Sequence, residues 1–271
     1  MKDFLLCLAL IVLSTAWTAE AREQEVFKHL VVAPQHLDSD KAYLLLQSSR
    51  VKNGMNAIAH VMLRVPTTAE TTAYLAAKQI AYDQALPRLR KAAKNGPVPT
   101  LAEFEFDYRG QVNTFGTDVG KFLLDGEMRT LLIEVPAGEY ILYGASTNRY
   151  WVATCNCLGT VRFKASPGII TFIGALYADQ VQGSSPLPNL EDNIAPSTNN
   201  VILGQALVPA TTATPVPDSI KPLPRALAEF HAVGLFHEPG AVSINRLAPI
   251  PGVLGYERGR PIDLRTGKPA S

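Results

Sequence analysis

Between Thr130 and Gly174 the apolar residues fall into short runs separated by little more than turn residues. The runs are Thr130–Val135 (TLLIEV), Tyr140–Ala145 (YILYGA), Tyr150–Thr154 (YWVAT), Thr160–Ala165 (TVRFKA) and Ile169–Gly174 (IITFIG). Each is rich in β-branched and aromatic residues and bounded by Gly or Pro clusters, the pattern of strands in a sandwich or barrel. In Val135-Pro136-Ala137-Gly138 the proline presets φ and the glycine accepts a restricted backbone, so the chain reverses within a few residues, and Ser166-Pro167-Gly168 repeats the device. Both prolines fall between strands, where a missing amide hydrogen interrupts no ladder. The stretch reads as the core of an antiparallel sheet.

Upstream, Ala42–Gln47 reads as a buried strand and Ile58–Val65 as its hairpin partner, with Lys52-Asn53-Gly54 as the turn. On the second strand His60 and Arg64 lie opposite Val61, Leu63 and Val65, which places them toward solvent. The period then changes. Thr67-x-x-Glu70 is a capping box, and Leu75, Tyr82, Leu86, Leu89 and Ala93 recur at helical spacing before Asn95-Gly96-Pro97 stops the run. A helical insertion is expected at 68–95, kinked or divided at Pro87. Arg88, Arg90, Lys91 and Lys94 crowd its C-terminal end; without aromatic anchors they read as a solvated helix end rather than a lipid-surface binder. Glu103–Tyr108 alternates strictly and reads as a strand with three aromatics on one face and three carboxylates on the other. A straight strand does not converge oxygen ligands on a hard cation, so the carboxylates read as a solvated face. Lys121–Leu124 is expected to form a hairpin through Asp125-Gly126-Glu127 into the central runs.

Composition alters this picture mainly at the two ends. Met1-Lys2, an apolar run from Phe4 to Leu13 and the Ala19-Glu20-Ala21 cleavage pattern read as a secretory signal peptide over 1–21. The apolar run is too short for an ordinary membrane span, so no integral span is expected in the mature chain and its place is periplasmic or secreted. Residues 22–180 are expected to form the β-sandwich domain. Residues 181–224, full of Pro, Ser and Thr, read as a linker or strap, with Val201–Gly204 as a docking point; 225–271 is an irregular C-terminal segment packing on the sandwich. Lys plus Arg is 25 against Asp plus Glu 24, which gives no strong field for nucleic acid.

The sharpest candidate for chemistry is Cys155-Asn156-Cys157, which are the only cysteines left once the leader is cut. In an oxidising compartment three readings compete: a local disulfide or buried thiol corner, a redox or soft-metal site, and an intermolecular bridge. A local disulfide requires a turn, because residues two apart on an extended strand lie near the upper limit of bridging distance; Asn156 and Leu158-Gly159 make a turn plausible. A soft transition metal such as copper would take Cys155 and Cys157 as thiolates, with His231 or His237 completing the set. The His231 to His237 spacing is not a zinc-protease helix pattern, and no G-x-S-x-G elbow, P-loop or dinucleotide fingerprint is present. A hydrolase would need His60, His231 or His237 gathered with carboxylates in one pocket.

The series Lys41–Leu46, Glu134–Tyr140 with its Pro136-Ala137-Gly138 turn, Leu158–Phe163, Pro167-Gly168 and Ile173-Gly174 resembles a group of small bacterial envelope proteins of unknown function. These resemble transthyretin-like or immunoglobulin-like sandwiches. The resemblance covers about half of the mature chain and brings no catalytic residues; the helical insertion, the cysteine pair and the Pro-rich end depart from it. The expectation is therefore a mainly β, antiparallel sandwich of about nine strands with one inserted helix. Its expected role is that of an exported, non-catalytic structural or binding module meeting another cell-envelope component. The alternative is a thiol-dependent metal-binding or redox protein using Cys155 and Cys157.

Overall fold

The computed structural model describes residues 26–49, 59–94, 96–117, 122–125, 128–146, 154–180, 203–236 and 243–270. The leader, the Lys52-Asn53-Gly54 turn, most of Tyr150–Thr154, residues 181–202 and His237 lie outside the described residues. Two compact units emerge, one made of the chain up to Arg64 and from Thr114 onward, the other Val65–Asn113.

In chain order the larger unit contributes β1 (Lys28–Leu30), β2 (Lys41–Ser49), β3 (Ala59–Arg64), β4 (Thr114–Gly116), β5 (Leu123–Asp125) and β6 (Met128–Pro136). There follow β7 (Gly138–Ser146), β8 (Thr154–Cys155), β9 (Thr160–Ala165), β10 (Ile170–Gln180) and β11 (Leu203–Pro209). Six short strands close the chain: β12 (Arg225–Leu227), β13 (His231–Val233), β14 (Ser243–Ile244), β15 (Leu254–Glu257), β16 (Arg260–Asp263) and β17 (Lys268–Pro269). The first sheet runs β1-β6-β2-β10-β11, with β5 on β6 and β12 on β10. The second runs β13-β9-β7-β3-β4, with β8 on β7 and β14 on β8; β15-β16-β17 is a small third sheet. Contacts of β11 with β7, and of β2 and β10 with β9, join the first two as a sandwich.

The fold is mainly β, yet three expectations about its wiring are corrected. The central runs do not share one sheet: the Pro136-Ala137-Gly138 turn carries the chain from β6 in the first sheet to β7 in the second, and Ser166-Pro167-Gly168 carries it back from β9 to β10. Likewise β2 and β3 are not a hairpin, since β2 pairs with β6 and β10 while β3 pairs with β7 and β4. Because the chain leaves a sheet before returning, β10 runs parallel to β2 and β12, and β14 parallel to β8, within otherwise antiparallel sheets. The strand number exceeds nine because strands of two to four residues, such as those after Pro224, are too short to carry a period.

The continuous apolar runs have a reason. In β2 Ala42, Tyr43, Leu44, Leu45 and Leu46 are all buried, and successive side chains point to opposite faces. Tyr43 and Leu45, with Leu132, Ile170 and Phe172, form one core with Ile220 and Leu223; Leu44, Leu46 and Ile133 are left for the interior between the sheets. Residues 181–224 therefore do two things where they are described: Leu203–Pro209 pairs with β10 over its full length, and 210–223 covers the first sheet's outer face.

The smaller unit is helix α1 (Thr68–Ala93) and the segment returning along it. Thr67 accepts from Glu70 N at 3.2 Å while Glu70 accepts from Thr67 N at 2.7 Å, completing the capping box. Pro87 lies within one continuous helix and does not divide it; the loss of a single donor leaves the flanking bonds in place. Glu103–Tyr108 is not a strand. Its aromatic face packs on the helix instead, with Phe104 against Tyr82 and Phe106 and Tyr108 against Tyr74 at centroid distances of 5.1–5.7 Å.

Candidate functional site

Cys155 ends β8, and β8 is held on one side by Gly144 and Ala145 of β7 and on the other by Ser243 and Ile244 of β14. The chain then turns, with Gly159 N donating to Asn156 O at 3.1 Å. That turn brings Cys155 and Cys157 together as a sulfur-bonded pair with Cα atoms 5.1 Å apart, inside the usual bridging range of about 4.4–6.8 Å.

Three pieces of the C-terminal chain close over the corner. Phe236 N donates to Cys157 O at 3.0 Å, and the Phe236 ring stacks on Tyr143 at 5.6 Å. Asn245 N donates to Cys155 O at 2.8 Å, and Leu158 N donates back to Asn245 O at 3.1 Å. From β15, Tyr256 donates its hydroxyl to Leu247 O at 2.6 Å and reaches Gly159 O at 3.3 Å, while the Arg246 guanidinium lies 4.8 Å over its ring. As a result Cys155, Asn156 and Cys157 are each 0% exposed. Removing the Tyr256 hydroxyl by Tyr256→Phe should cost about 1–3 kcal/mol, since it strands a buried carbonyl. Thermal unfolding measures the loss, and faster amide exchange over Leu254–Asp263 locates it.

Asn156 leads inward to a second polar group. Its Nδ2 donates to Leu142 O at 3.1 Å and to Gln205 Oε1 at 2.7 Å, and Gln205 Nε2 meets His60 Nδ1 at 2.6 Å. With Gln205 donating, Nδ1 is the acceptor and the ring proton belongs on Nε2. His60 is 1% exposed, and burial together with the Arg129 cation pulls its pKa down to about 3. His29 on β1 is likewise lowered to about 4, chiefly by burial, with Arg129 adding to the effect. Both rings are neutral at physiological pH. His60 thus stands inside the sandwich, not toward solvent. Every β3 residue except Leu63 is fully buried, because both faces of the strand are covered, and the β3–β7 register shifts between Val61 and Met62.

Among the described residues, the remaining sequence candidates do not converge on this corner. In the bonded state neither sulfur is a thiolate, so soft-metal binding by Cys155 and Cys157 requires the reduced pair; among the described residues no three His, Cys, Asp or Glu side chains group to hold a metal ion. His231 lies on β13, separated from β3 by two strands of the second sheet, where its ring contacts the Arg265 guanidinium and its Nε2 is 3.8 Å from Glu229. Gln205 and Tyr256 were not singled out from the sequence. Gln205 belongs to a stretch whose composition resembles a linker, and only the short apolar runs on either side of it, Val201–Leu203 and Ala206–Val208, hint at a strand. Comparison with known proteins finds no matching family model, no similar curated protein and no similar solved structure.

Proposed function

We propose that this chain is an exported, non-catalytic envelope protein, a structural or binding module whose surface meets another cell-envelope component. One observation carries the reading: the groups best suited to chemistry are spent on holding the fold. The cysteine pair is fully buried beneath the C-terminal chain, and Asn156, Gln205 and His60 bond to one another across the two sheets. Export is supported by the signal-peptide pattern over 1–21 and by cysteines placed where a short disulfide closes. The resemblance to transthyretin-like or immunoglobulin-like envelope proteins supports the same role by analogy of fold.

The test is replacement of both cysteines by serine, with crosslinking in intact cells. Loss of so short a loop closure should cost about 1.5–2 kcal/mol, to which two buried hydroxyls add, so the variant is assayed at low temperature with circular dichroism to confirm folding. The same crosslinked envelope partner is expected with and without the cysteines. A folded variant that loses the partner would move the assignment to the thiol-dependent alternative.

A further inference from the structure

Residues 210–223, with Leu30, Ala33 and Leu37, pack against the outer face of the first sheet. There β12 runs parallel to the start of β10, Arg225 beside Ile170 and Leu227 beside Phe172, and the Thr211–Thr214 turn leaves a cavity of about 230 Å³. The apolar part of its wall is Phe172, Val216 and Leu227; Thr211, Thr214 and Arg225 supply the polar part. Phe172 is 3% exposed, so its ring belongs to the core and gives the cavity a fixed floor.

The polar wall is also fixed. Thr211 N donates to Thr214 Oγ1 at 2.8 Å and Ala213 N donates to Thr211 Oγ1 at 3.3 Å, which locks the turn. The Arg225 guanidinium donates through Nη1 to Lys221 O, which anchors it without neutralising it. The nearby Asp218 carboxylate is engaged by Lys221 Nζ at 2.6 Å, and among the described residues no carboxylate pairs with Arg225. A single guanidinium with free donors suits one planar carboxylate, which it can bind through two parallel bonds; a phosphate dianion would leave half its charge unmatched. The cavity is smaller than the roughly 300–1,000 Å³ of drug-sized sites, so the occupant is short.

We propose that this cavity binds a small amphipathic carboxylate, with a short acyl or aryl tail on Phe172, Val216 and Leu227 and the carboxylate on Arg225. The inference goes beyond the envelope role proposed above and rests on other residues, so either can fail alone. The experiment is a titration of the full chain with hexanoate and with benzoate, followed by amide chemical shifts. Hexan-1-ol and acetate serve as probes that lack the charge and the tail. Saturable binding of at least one of the two carboxylates is expected, with shifts centred on Phe172, Thr211–Val216 and Arg225–Leu227. Both control probes, and the Arg225→Ala variant, should bind roughly tenfold or more weakly, the value of a lost charge-assisted bond. Arg225 is exposed, so that variant keeps its fold, which circular dichroism verifies. Saturation by neither carboxylate overturns the proposal. Equal affinity for hexan-1-ol, or an unchanged affinity in Arg225→Ala, overturns it as well, because the cavity would then be only an apolar gap.

Discussion

Replacing Gly174 with alanine should cost about 2–5 kcal/mol, combining roughly 1–2 for the backbone conformation with 1–3 for overpacking. Gly174 has φ +112, and a Cβ built on it would lie 2.2 Å from Val208 O, 2.5 Å from Ala210 N and 2.8 Å from Pro209 C. All three are backbone atoms of the neighbouring chain, so no side chain can swing aside. Nor can that chain retreat freely, because β11 pairs with β10 from Gly174 to Gln180 and Ala210 N donates to Ile173 O at 3.2 Å. The register of β10 against β2 shifts between Phe172 and Gly174, so Ile173 is the extra residue of a bulge and Gly174 follows it directly. Gly168 is the control. Its φ is +67, but the nearest atom to its added Cβ is 3.8 Å away, so Gly168→Ala should lose only the conformational part. Urea denaturation of the two variants measures the difference, and equal losses would show that the close approach of β11 is not tight. Because Gln205 is on β11, amide exchange in Gly174→Ala should also rise around Asn156 and His60.

The second large effect is with pH. His60 binds its proton near pH 3 in the folded protein, against an ordinary value of 6.5. Between those values the unfolded chain holds the proton and the folded one does not, so stability is full above about pH 6.5 and falls as the pH drops toward 3. The slope approaches about 1.4 kcal/mol per pH unit for one such group, a loss on the order of 4–5 kcal/mol across the window. His29, lowered to about 4, adds a similar slope over a shorter span. Denaturation midpoints from pH 7.5 to 3.5 should trace this fall. In His60→Gln, which keeps a polar group beside Gln205 but has nothing to titrate, the fall should be about halved in slope. An unchanged slope in that variant would mean that His60 is charged or solvated in the folded state.

The apolar runs disclosed the strands, and their lack of alternation in Ala42–Leu46 and Leu131–Ile133 fits the burial of both faces found in the structure. What they did not disclose was which sheet each strand joins. A proline turn such as Pro136-Ala137-Gly138 reverses a chain equally well within a sheet or across a sandwich, and only the pairing of β6 with β2 and of β7 with β3 and β9 decides it here. The alternation of Phe104, Phe106 and Tyr108 is correct as a one-sided aromatic face, but period two does not say whether the partner is a strand or a helix. His60 was misplaced because period two assigns sides, not exposure. The corner was legible as Cys155-Asn156-Cys157 with a required turn. Its closure was not, since Phe236, Asn245 and Tyr256 come from a region whose composition shows no period and whose strands are two to four residues long.

A closed structural staple and a reactive cysteine pair differ in how fast the folded protein is reduced. The most direct test is intact-mass spectrometry of the folded protein during exposure to dithiothreitol and iodoacetamide, alongside the same treatment in denaturant. Cys155 and Cys157 are both 0% exposed, so a staple should take two labels promptly in denaturant with reductant, none in denaturant without reductant, and in the folded protein should be labelled no faster than the chain unfolds. Prompt double labelling of a protein whose circular dichroism is unchanged would contradict it and place Cys155 and Cys157 among accessible redox cysteines.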